Sequence, residues 1–442
     1  MAAGTAGATR KLFGTDGVRG VAGEFLTAEL ALALARAATA RIGGERVRAL
    51  VVRDTRESGG MLEAAVAAGI AEAGGAALTG GILPTPAAPL LLLRYGLDLA
   101  VVLSASHNPF ADNGIKFFGA DGDKLSDALE EEIEHAMGEP APYRTVGRVQ
   151  PLRATLEDYL RALHERFQGL DLSGLSIALD CANGATYRAA PEIFRRLGAT
   201  VTVVGDEPDG RNINAGCGST HIDYLSTAVV AGSLDLGFAF DGDGDRVLAV
   251  DRTGTVVDGD ELIALAASHL EVDGVAVTVM TNYGFQQAMR EAGIDVAVTR
   301  VGDRYVLEEL RKRGWALGGE QSGHIIELGF APTGDGIAAA LLTLEALGGA
   351  DLTERGGMRK LPQVLVNVEV SDRDAAIRDP DLRSAIDHES GALEGRGRVL
   401  VRPSGTEPLI RVMVEAPTGD EARQICDRLV AAVPATIGIS SA

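Results

Sequence analysis

Apolar runs alternate with amphipathic stretches along most of the chain. Runs rich in Val, Leu and Ala at 49–53, 99–103 and 176–180 predict strands that are buried on both faces. Stretches with apolar residues three or four positions apart, as at 28–42 and 185–197, predict helices between them. Strands that alternate with helices predict parallel sheets covered by helices, and the pattern occurs in three similar blocks.

The pattern changes after a polar stretch at 348–360, which is typical of a linker. The predicted strands and helices that follow it indicate a small α+β domain. In the first block, a turn at 120–123 is expected to close a β-hairpin over 115–125. The overall prediction is an α/β protein with four domains, at 1–150, 151–257, 258–362 and 363–442.

Composition and charge narrow the classes of partner. The 442 residues carry a formal net charge of -21, which argues against nucleic acid and anionic membranes, since both are bound through clusters of Lys and Arg. A phosphorylated small molecule stays compatible, because charges farther away than a Debye length of about 8 Å are screened. Cys181, Cys217 and Cys426 form no C-x-x-C pair and suit a reducing compartment. Without a signal peptide or a long apolar run, we expect a cytoplasmic protein with no membrane span.

The first candidate for chemistry is the loop Ser-Ala-Ser-His-Asn-Pro at 104–109, directly after the predicted strand 99–103. Ligands of open α/β sheets gather beyond the carboxyl ends of the strands, so Ser106 would lie at a functional edge. Ser106, His107 and Lys116 could then face one pocket. The competing interpretation is an ordinary turn, because Ser, Asn and Pro are common turn residues.

A second candidate is the Phe-Asp-Gly-Asp-Gly-Asp-Arg segment that follows another apolar run. Asp241, Asp243 and Asp245 offer three carboxylates at alternating positions, and the glycines let the backbone fold tightly between them. An EF-hand is excluded because Arg246 and Arg252 occupy its glycine and glutamate positions. The carboxylates predict a divalent-cation site, and Mg²⁺ fits because it takes few protein ligands. An acidic turn without metal is the alternative.

Three other segments combine polar residues with glycine. The opening segment holds three glycines around Arg19, which could bring backbone N–H groups and a guanidinium to an anion. In 318–324, Glu320 and Ser322 would point to the same side of an extended chain and could bind sugar hydroxyl groups. The segment 402–408 combines hydroxyl groups, a glycine turn and an arginine, as a phosphate site requires. Each segment alone could be a surface turn.

Together these segments resemble the α-D-phosphohexomutase superfamily, and in particular its bacterial branch that acts on glucosamine phosphates. The matching motifs occur in the family's order and cover the chain from Leu12 to about Val433. They are Phe-Gly-Thr-Asp-Gly-Val-Arg-Gly at 13–20, Ser-Ala-Ser-His-Asn-Pro at 104–109, Asp-Gly-Asp-Gly-Asp-Arg at 241–246, Gly-Glu-Gln-Ser-Gly-His at 319–324 and Arg-Pro-Ser-Gly-Thr-Glu-Pro at 402–408.

The resemblance implies a four-domain, heart-shaped α/β fold, with three similar domains that contain mixed sheets and a small C-terminal α+β domain. It implies an isomerase that interconverts glucosamine 6-phosphate and glucosamine 1-phosphate through an enzyme phosphoserine and a bisphosphorylated sugar. This reaction belongs to UDP-N-acetylglucosamine and peptidoglycan precursor synthesis. The implied cofactor is Mg²⁺. The implied partners are the phosphorylated amino sugar, a hexose bisphosphate intermediate or primer, and a second copy of the chain in a homodimer.

The resemblance also implies a role for individual residues. Ser106 would carry the phosphoryl group, and one loop of each domain would contribute to the site. His107 and His324 are both candidates for the general base and Lys116 for the acid, without a ranking. The implied catalytic residues are Ser106, Arg19, His107, Lys116, Arg246 and His324; the metal ligands are Ser106, Asp241, Asp243 and Asp245; and the substrate contacts are Gly302, Asp303, Glu320, Ser322, Arg402, Ser404, Gly405, Thr406 and Arg411.

Two alternatives share these features. A phosphomannomutase or phosphoglucomutase would differ only in the sugar loop, near 301–305 and 320–324. A non-catalytic sensor of phosphosugars or metals could use the same scaffold, although an intact Ser106 argues against it. Charge also favours catalysis with a bound cation, because a seryl phosphate adds about -1.5 to -2 charge to three carboxylates.

Overall fold

The structure is a computed structural model that divides into two compact units. The first unit extends to Met280 and includes Asp295–Gly356. The second consists of Thr281–Ile294 and of the chain from Gly357 onward. The structure describes residues 12–14, 16–43, 46–138, 146–404 and 408–434.

The first part of the chain forms a six-stranded mixed sheet with helices. Its elements are β1 (Val18–Val21), α1 (Ala28–Ile42), β2 (Arg48–Arg53), α2 (Gly59–Glu72), β3 (Ala76–Ile82), α3 (Ala87–Tyr95), β4 (Leu99–Leu103), β5 (Asp112–Gly119), α4 (Asp127–Ala136) and β6 (Arg148–Pro151). The strand order is β1-β5-β4-β2-β3-β6. β4 is parallel to β2 and antiparallel to β5, so the loop that contains Ser106 connects two neighbouring strands. All of β4 is buried inside the sheet, which accounts for its continuous apolar sequence.

The β-hairpin predicted over 115–125 forms only in part: the turn closes through hydrogen bonds from Gly119 N–H to Asp123 O and from Leu125 N–H to Phe117 O, but the returning chain is not a strand. β5 pairs with β4 over Ile115–Gly119, and among the described residues the returning chain makes only one bridge, between Phe118 and Lys124. The returning chain is too short for a strand because Ser126 caps the N-terminus of α4 directly after it. The other antiparallel neighbour of β5 is β1, which lies in the glycine-rich opening segment that predicted only a loop.

A second mixed sheet has five strands in the order β11-β10-β9-β7-β8. β7 is parallel to β8 and β9, and β10 runs back antiparallel to β9. The turn between β9 and β10 is the Asp-Gly-Asp-Gly-Asp-Arg segment. The elements of this part are α5 (Thr155–Arg166), β7 (Ser176–Asp180), α6 (Ala189–Arg196), β8 (Thr200–Val204), α7 (Asp223–Gly232), β9 (Leu236–Phe240), β10 (Val247–Asp251) and β11 (Val256–Val257).

A third mixed sheet has the order β13-β12-β14-β15. The helix before it begins with a capping box, in which Asp258 and Glu261 satisfy the first backbone N–H groups. Although α9 connects two strands of this sheet, it is grouped with the second unit. The elements are α8 (Gly259–His269), β12 (Gly274–Thr278), α9 (Tyr283–Glu291), β13 (Asp295–Thr299), α10 (Asp303–Arg313), β14 (Leu317–Gly319), β15 (Ile325–Glu327), α11 (Gly336–Leu347) and a 3₁₀ turn (Leu352–Glu354).

The second unit contains a three-stranded antiparallel sheet in the order β16-β18-β17. Its core includes Ile410, Val412 and Val414 from the central strand together with Ile425 and Leu429 from the last helix. Its further elements are β16 (Gln363–Glu369), α12 (Arg373–Ala376), α13 (Pro380–Ala392), β17 (Arg398–Pro403), β18 (Leu409–Glu415) and α14 (Gly419–Ala432).

Two expectations from composition can be compared with this structure. Cys181, Cys217 and Cys426 are free and buried. None of the helices in the described parts of the chain is both long and apolar enough to cross a membrane.

Candidate active site

Ser106 and the acidic segment come from two different sheets and meet in direct contact. The Ser106 hydroxyl donates a hydrogen bond of 2.5 Å to Oδ2 of Asp241. Ser106 is only 1% exposed, and its φ of 52° places it in the left-handed region that non-glycine residues rarely adopt. A Cβ atom on Gly242 would lie 2.6 Å from the carbonyl oxygen of Ser106. Only glycine therefore allows the two loops to approach this closely.

The three aspartates form a compact buried cluster. One carboxylate oxygen from each of Asp241, Asp243 and Asp245 lies within 4.8 Å of the others. Oδ1 of Asp243 and Oδ1 of Asp245 are buried without a hydrogen-bond partner in the described structure. Buried carboxylate oxygens are costly unless they are satisfied, and hard oxygen donors at this spacing are typical cation ligands. The residues present therefore fit a bound metal ion.

The pKa values of the cluster show how unevenly its charge is balanced. Burial raises the pKa of Asp241 well above its usual value, and the charges of Asp245 and Asp243 raise it further. Burial also raises the pKa of Asp245, but Lys116, His324 and Arg246 outweigh it and hold this pKa below the usual value. The charge of Asp245 is thus stabilised by neighbouring cations, whereas burial and like charges destabilise that of Asp241.

Lys116 lies in the middle of this acidic region and is almost completely buried. Its Nζ is 2.8 Å from Oδ2 of Asp243, 3.1 Å from Oδ2 of Asp16 and 3.7 Å from Oδ2 of Asp245. Burial lowers the pKa of Lys116, but these carboxylates raise it more, so that the pKa lies above its ordinary range. At neutral pH Lys116 therefore keeps its proton, which favours a role as a fixed cation over that of a proton donor.

The contacts of Lys116 continue into a closed ring of alternating acidic and basic side chains. Asp16 also binds Lys124, and Lys124 Nζ is 2.6 Å from Oδ2 of Asp303. The ring of His324 lies 3.7 Å from both Asp303 and Asp245, which leads back to the acidic cluster. The ring connects the first and third sheets with the acidic turn of the second. Sequence reasoning did not assign Lys124 or Asp16 to the site, although Asp16 lies within the opening motif.

The two candidate histidines differ in their surroundings. Nδ1 of His107 is 3.3 Å from the Ser106 hydroxyl, and burial together with Arg246 and Arg19 lowers the pKa of His107. Burial lowers the pKa of His324 as well, but Asp245 and Asp303 raise it more. Nε2 of His324 accepts a hydrogen bond of 3.0 Å from the backbone N–H of Gly334 and so has no free lone pair. His107 is the neutral histidine with access to the serine.

The two candidate arginines lie at the edge of the cluster. Arg19 is paired with Asp16, and the side chains of Arg19 and Arg246 are each 27% exposed. The backbone N–H of Arg246 donates to Oδ1 of Asp241 at 3.2 Å, and its side chain is 3.7 Å from Asp245. The cations are partly accessible, which suits contact with an incoming anion.

The predicted sugar loop has a different local geometry from the one expected. Glu320 and Ser322 do not lie on an extended chain, because Gly323 N–H donates to Glu320 O at 2.9 Å and closes a turn between β14 and β15. Glu320 is buried, and its Oε1 accepts a hydrogen bond of 3.0 Å from Gly302 N. Ser322 is exposed. The expectation that both side chains point the same way was therefore wrong in its premise, but Glu320, Gly302 and Asp303 do lie in one region.

The predicted phosphate segment lies in the second unit. Arg402 on β17 is directly opposite Arg411 on β18, and Nη2 of Arg411 is 3.5 Å from the hydroxyl of Ser404. Burial and the charge of Arg411 lower the pKa of Arg402. Like charges directly opposite each other on neighbouring strands are destabilising, which an anion between them would relieve. Gly405 and Thr406 lie outside the described residues.

Sequence reasoning also missed Thr85. Its hydroxyl donates to Oδ2 of Asp243 at 2.6 Å, and its backbone N–H donates to Asp243 O at 2.8 Å. Thr85 follows β3 in the first sheet, whereas Asp243 belongs to the second. No sequence pattern marked it, because a Pro-Thr-Pro segment is typical of any turn.

This fold and this site define an α-D-phosphohexomutase. Models of the phosphoglucomutase/phosphomannomutase family match the chain in four segments: alpha/beta/alpha domain I at residues 10–144, domain II at 157–254, domain III at 258–363 and the C-terminal domain at 365–432. The chain therefore belongs to the phosphoglucomutase/phosphomannomutase family, and it is an enzyme of the isomerase class.

Curated relatives give a finer comparison. The phosphoglucosamine mutase of Moorella thermoacetica is 52% identical over 432 residues, which cover 94% of this chain and 97% of the relative. That of Mycolicibacterium smegmatis is 49% identical and covers 96% of this chain and 99% of the relative. Both relatives thus match the chain over nearly its whole length.

Solved structures share the fold at low sequence identity. A phosphoglucomutase/phosphomannomutase family protein from Burkholderia thailandensis superimposes with a TM-score of 0.81 at 23% identity and covers 96% of this chain and 98% of its own. Aspergillus fumigatus N-acetylphosphoglucosamine mutase, solved in complex with GlcNAc-6P and magnesium, gives a TM-score of 0.68 at 19% identity, with 96% and 95% covered.

Proposed function

We propose that this chain is a phosphoglucosamine mutase, which interconverts glucosamine 6-phosphate and glucosamine 1-phosphate for UDP-N-acetylglucosamine synthesis. The observation that carries the proposal is the contact of 2.5 Å between the Ser106 hydroxyl and Asp241, inside a cluster of three buried aspartates. Curated phosphoglucosamine mutases with about half of their residues identical support the choice of substrate.

The reaction begins from Ser106 carrying a phosphoryl group. The free hydroxyl group of the sugar phosphate gives its proton to the general base as its oxygen attacks the phosphorus. The new O–P bond forms, the bond from phosphorus to Ser106 Oγ breaks, and Oγ takes up a proton. The product is a bisphosphorylated sugar, which turns round so that its other phosphoryl group faces Ser106. Ser106 then gives up its hydroxyl proton as its Oγ attacks this phosphorus and recovers the phosphoryl group, and the sugar oxygen that is released takes a proton.

Charge stabilisation is the main demand of phosphoryl transfer. Asp241, Asp243 and Asp245, together with the seryl phosphate, would hold Mg²⁺, which neutralises the charge and polarises the phosphoryl group. Lys116 supplies a permanent positive charge from its position against Asp243 and Asp245.

The remaining roles follow from accessibility and protonation. Arg19 and Arg246 are partly exposed cations that would contact the transferring phosphoryl group. We favour His107 over His324 as the general base, because His107 is neutral and its Nδ1 lies 3.3 Å from Ser106. Nδ1 of His324 instead lies 3.7 Å from Asp245, and its Nε2 accepts from Gly334 N–H, so this ring supports Asp245 and does not act on the serine.

Substrate recognition is divided between two loops. Gly302, Asp303, Glu320 and Ser322 would bind the sugar hydroxyl and amino groups, with the buried carboxylate of Glu320 held by Gly302 N–H. The phosphate that does not react would bind to Arg402, Ser404, Gly405, Thr406 and Arg411. A separate phosphate site is useful because the intermediate must present each of its ends in turn to one fixed serine.

The domain boundaries at 1–150, 151–257, 258–362 and 363–442 are part of the same proposal, with the serine, metal, sugar and phosphate loops assigned to the four domains in that order. We further propose a cytoplasmic homodimer.

The test is an assay of glucosamine, N-acetylglucosamine, glucose and mannose 6-phosphates, each with and without a hexose 1,6-bisphosphate primer. We expect the highest kcat/KM with glucosamine 6-phosphate and activation by the primer. Ser106→Ala should lower kcat by about 10³ or more, because the group acceptor is lost. Ser268→Ala is the matched control, since its hydroxyl only bonds to the carbonyl of Ala264 in its own helix.

Intact-protein mass measurement gives a second readout. After incubation with the bisphosphate, the wild type and Ser268→Ala should carry one phosphate and Ser106→Ala none. A preference for mannose or glucose phosphate would replace the proposal by a phosphomannomutase or phosphoglucomutase, and binding without turnover of any sugar would indicate a sensor.

A further inference from the structure

The loop that carries Ser106 rests on one arginine that contacts neither the acidic cluster nor the solvent. The side chain of Arg56 is completely buried. Its Nη2 donates to the carbonyl oxygens of Ser106 at 2.9 Å and Asn108 at 2.8 Å. Its Nη1 donates to the carbonyl oxygens of Asp112, at 3.0 Å, and Pro109. One guanidinium thus binds four main-chain carbonyl groups of the loop from Ser106 to Asp112.

The arginine is itself fixed by its neighbours. Nε of Arg56 donates to Oδ2 of Asp54 at 2.9 Å, and its backbone N–H donates to Oδ1 at 3.0 Å. The hydroxyl of Ser104 donates to Oδ2 of Asp54 at 2.6 Å and accepts a hydrogen bond of 3.0 Å from the backbone N–H of Ser106. The chain of contacts therefore runs from Asp54 to both the N–H and the carbonyl group of Ser106.

Asn214 supports the same loop from the second sheet. Its Nδ2 donates to the carbonyl oxygens of Ser106 at 3.0 Å and Asn108 at 3.1 Å, the same two acceptors that Nη2 of Arg56 uses. Asn214 lies between β8 and α7, so this contact ties the serine loop to the domain that carries the aspartates. We define Asp54, Arg56, Ser104 and Asn214 as the loop clamp.

We propose that the loop clamp, with Arg56 at its centre, is a set of positioning residues that holds Ser106 in its left-handed conformation with Oγ directed at the acidic cluster. This proposal rests on the proposed function. A left-handed serine is unfavourable and persists only when surrounding contacts determine it. Every hydrogen bond of Arg56 to the loop goes to a main-chain carbonyl, so the contacts fix the backbone whether or not Oγ carries a phosphoryl group.

The chemistry of the guanidinium explains why arginine occupies this position. Arginine offers five N–H donors in a planar fork. In Arg56 all three nitrogens donate: Nε to Asp54, and Nη1 and Nη2 to carbonyl groups of the loop. A lysine offers three donors from one nitrogen and cannot reach both sides of the loop. A small displacement of a reacting atom can cost about 10²-fold in rate.

The test compares Arg56→Lys with Arg48→Lys in the full chain. Arg48 is the first residue of β2, whereas Arg56 follows the other end of this strand. Nη1 of Arg48 also approaches main-chain carbonyls, those of Tyr95 and Gly96 at 3.5 Å. We expect Arg56→Lys to lower kcat by about 10- to 100-fold with KM for glucosamine 6-phosphate changed less than about twofold. Arg48→Lys should keep wild-type values of both.

A second variant covers the case in which Arg56→Lys does not fold. Asn214→Ala removes two hydrogen bonds to the loop and should lower kcat by about tenfold, again without a change in KM. For each variant, the rate at which Ser106 takes up phosphate from a hexose 1,6-bisphosphate is followed by intact mass, and thermal unfolding reports folding. The rate of phosphate uptake should fall by the same factor as kcat. If the variant also melts at the temperature of the wild type, a general loss of folding does not explain the slower uptake.

The outcomes separate this proposal from the proposed function. Folded Arg56→Lys or, where that variant is unfolded, folded Asn214→Ala, with wild-type kcat and phosphate uptake, would overturn the role of the loop clamp. A rise in KM with unchanged kcat would overturn it as well. A wild-type chain that neither isomerises a hexose phosphate nor takes up phosphate on Ser106 would instead overturn the proposed function.

Discussion

The two sides of the serine loop present buried charge in opposite ways. Behind the loop, Arg56 faces Asp54, and both side chains are fully buried with hydrogen bonds to each other and to the main chain. In front of the loop, Asp241, Asp243 and Asp245 crowd together, and oxygens of Asp243 and Asp245 lack hydrogen-bond partners in the described residues. The hydrogen-bonded pair of Arg56 and Asp54 holds the chain in place, whereas the crowded carboxylates would be stabilised by a bound cation.

The largest expected effect comes from making the same Asp→Asn substitution on both sides of the serine loop. Asp54→Asn leaves a buried guanidinium opposite an amide that can accept on only one atom, and we expect a loss of about 3–5 kcal/mol in the free energy of unfolding. Asp241→Asn removes a carboxylate whose pKa is raised by burial and by two like charges. In a chelator, Asp241→Asn should be as stable as the wild type or more stable.

Urea unfolding at neutral pH measures both effects. Addition of Mg²⁺ should stabilise the wild type and stabilise Asp241→Asn much less, which gives a readout of the metal site that does not depend on activity. Equal losses of stability in both variants would contradict the difference between the two sides.

The catalytic side of the comparison is tested by Asp243→Asn. Asp243 faces Lys116 and Thr85 and offers one unsatisfied oxygen, so the amide should weaken the metal site without leaving a buried cation alone, because Lys116 keeps Asp16 and Asp245. We expect kcat to fall by about 10² or more in Mg²⁺. The measurement is steady-state turnover of glucosamine 6-phosphate across a Mg²⁺ titration. Wild-type turnover at any Mg²⁺ concentration would contradict this role.

The smallest expected effect concerns a buried carboxylate with only neutral partners. Asp335 accepts from the Tyr159 hydroxyl at 3.0 and 2.9 Å and from Ala338 N–H at 3.0 Å. Burial raises the pKa of Asp335 to about 6. The neutral acid is therefore favoured in the folded state, and its contribution to stability is present below about pH 4 and is lost as the pH rises through 6.

Asp335→Asn keeps an acceptor for the helix cap and cannot ionise. Between pH 5 and pH 7.5 the wild type should lose about 1 kcal/mol of unfolding free energy relative to this variant. Urea unfolding of both proteins at the two pH values measures the difference. If the difference in unfolding free energy between the two proteins is the same at both pH values, Asp335 ionises normally and burial does not raise its pKa.

Local sequence determined the elements whose boundaries depend on local signals. The helix predicted over 28–42 forms over those residues because Thr27 caps it, and the strand over 176–180 coincides with β7. The helix predicted over 185–197 begins only at Ala189. The residues before Ala189 form a turn that is tied to the acidic segment, since Ala185 N–H donates to the carbonyl of Gly242.

In the candidate site, too, some features were visible in the local sequence and others depended on tertiary contacts. The alternating aspartates and the serine at a strand end were visible in the sequence, because carboxylate spacing and strand exits are local features. Thr85, Lys124 and Arg56 were not visible, since each acts through a partner roughly 50 to 180 positions away. The sugar loop was misjudged because a turn, rather than an extended chain, satisfies the backbone at Glu320.

The sequence by itself determined the α/β class, the order of the loops and the residues able to carry a phosphoryl group and a cation. Only the tertiary structure decided that Ser106 faces Asp241, that Lys116 is a fixed cation and that Arg56 supports the loop from behind. The physical reason is that hydrogen bonds and buried charges between distant segments depend on which strand ends the sheets bring together, and no local pattern encodes that distance.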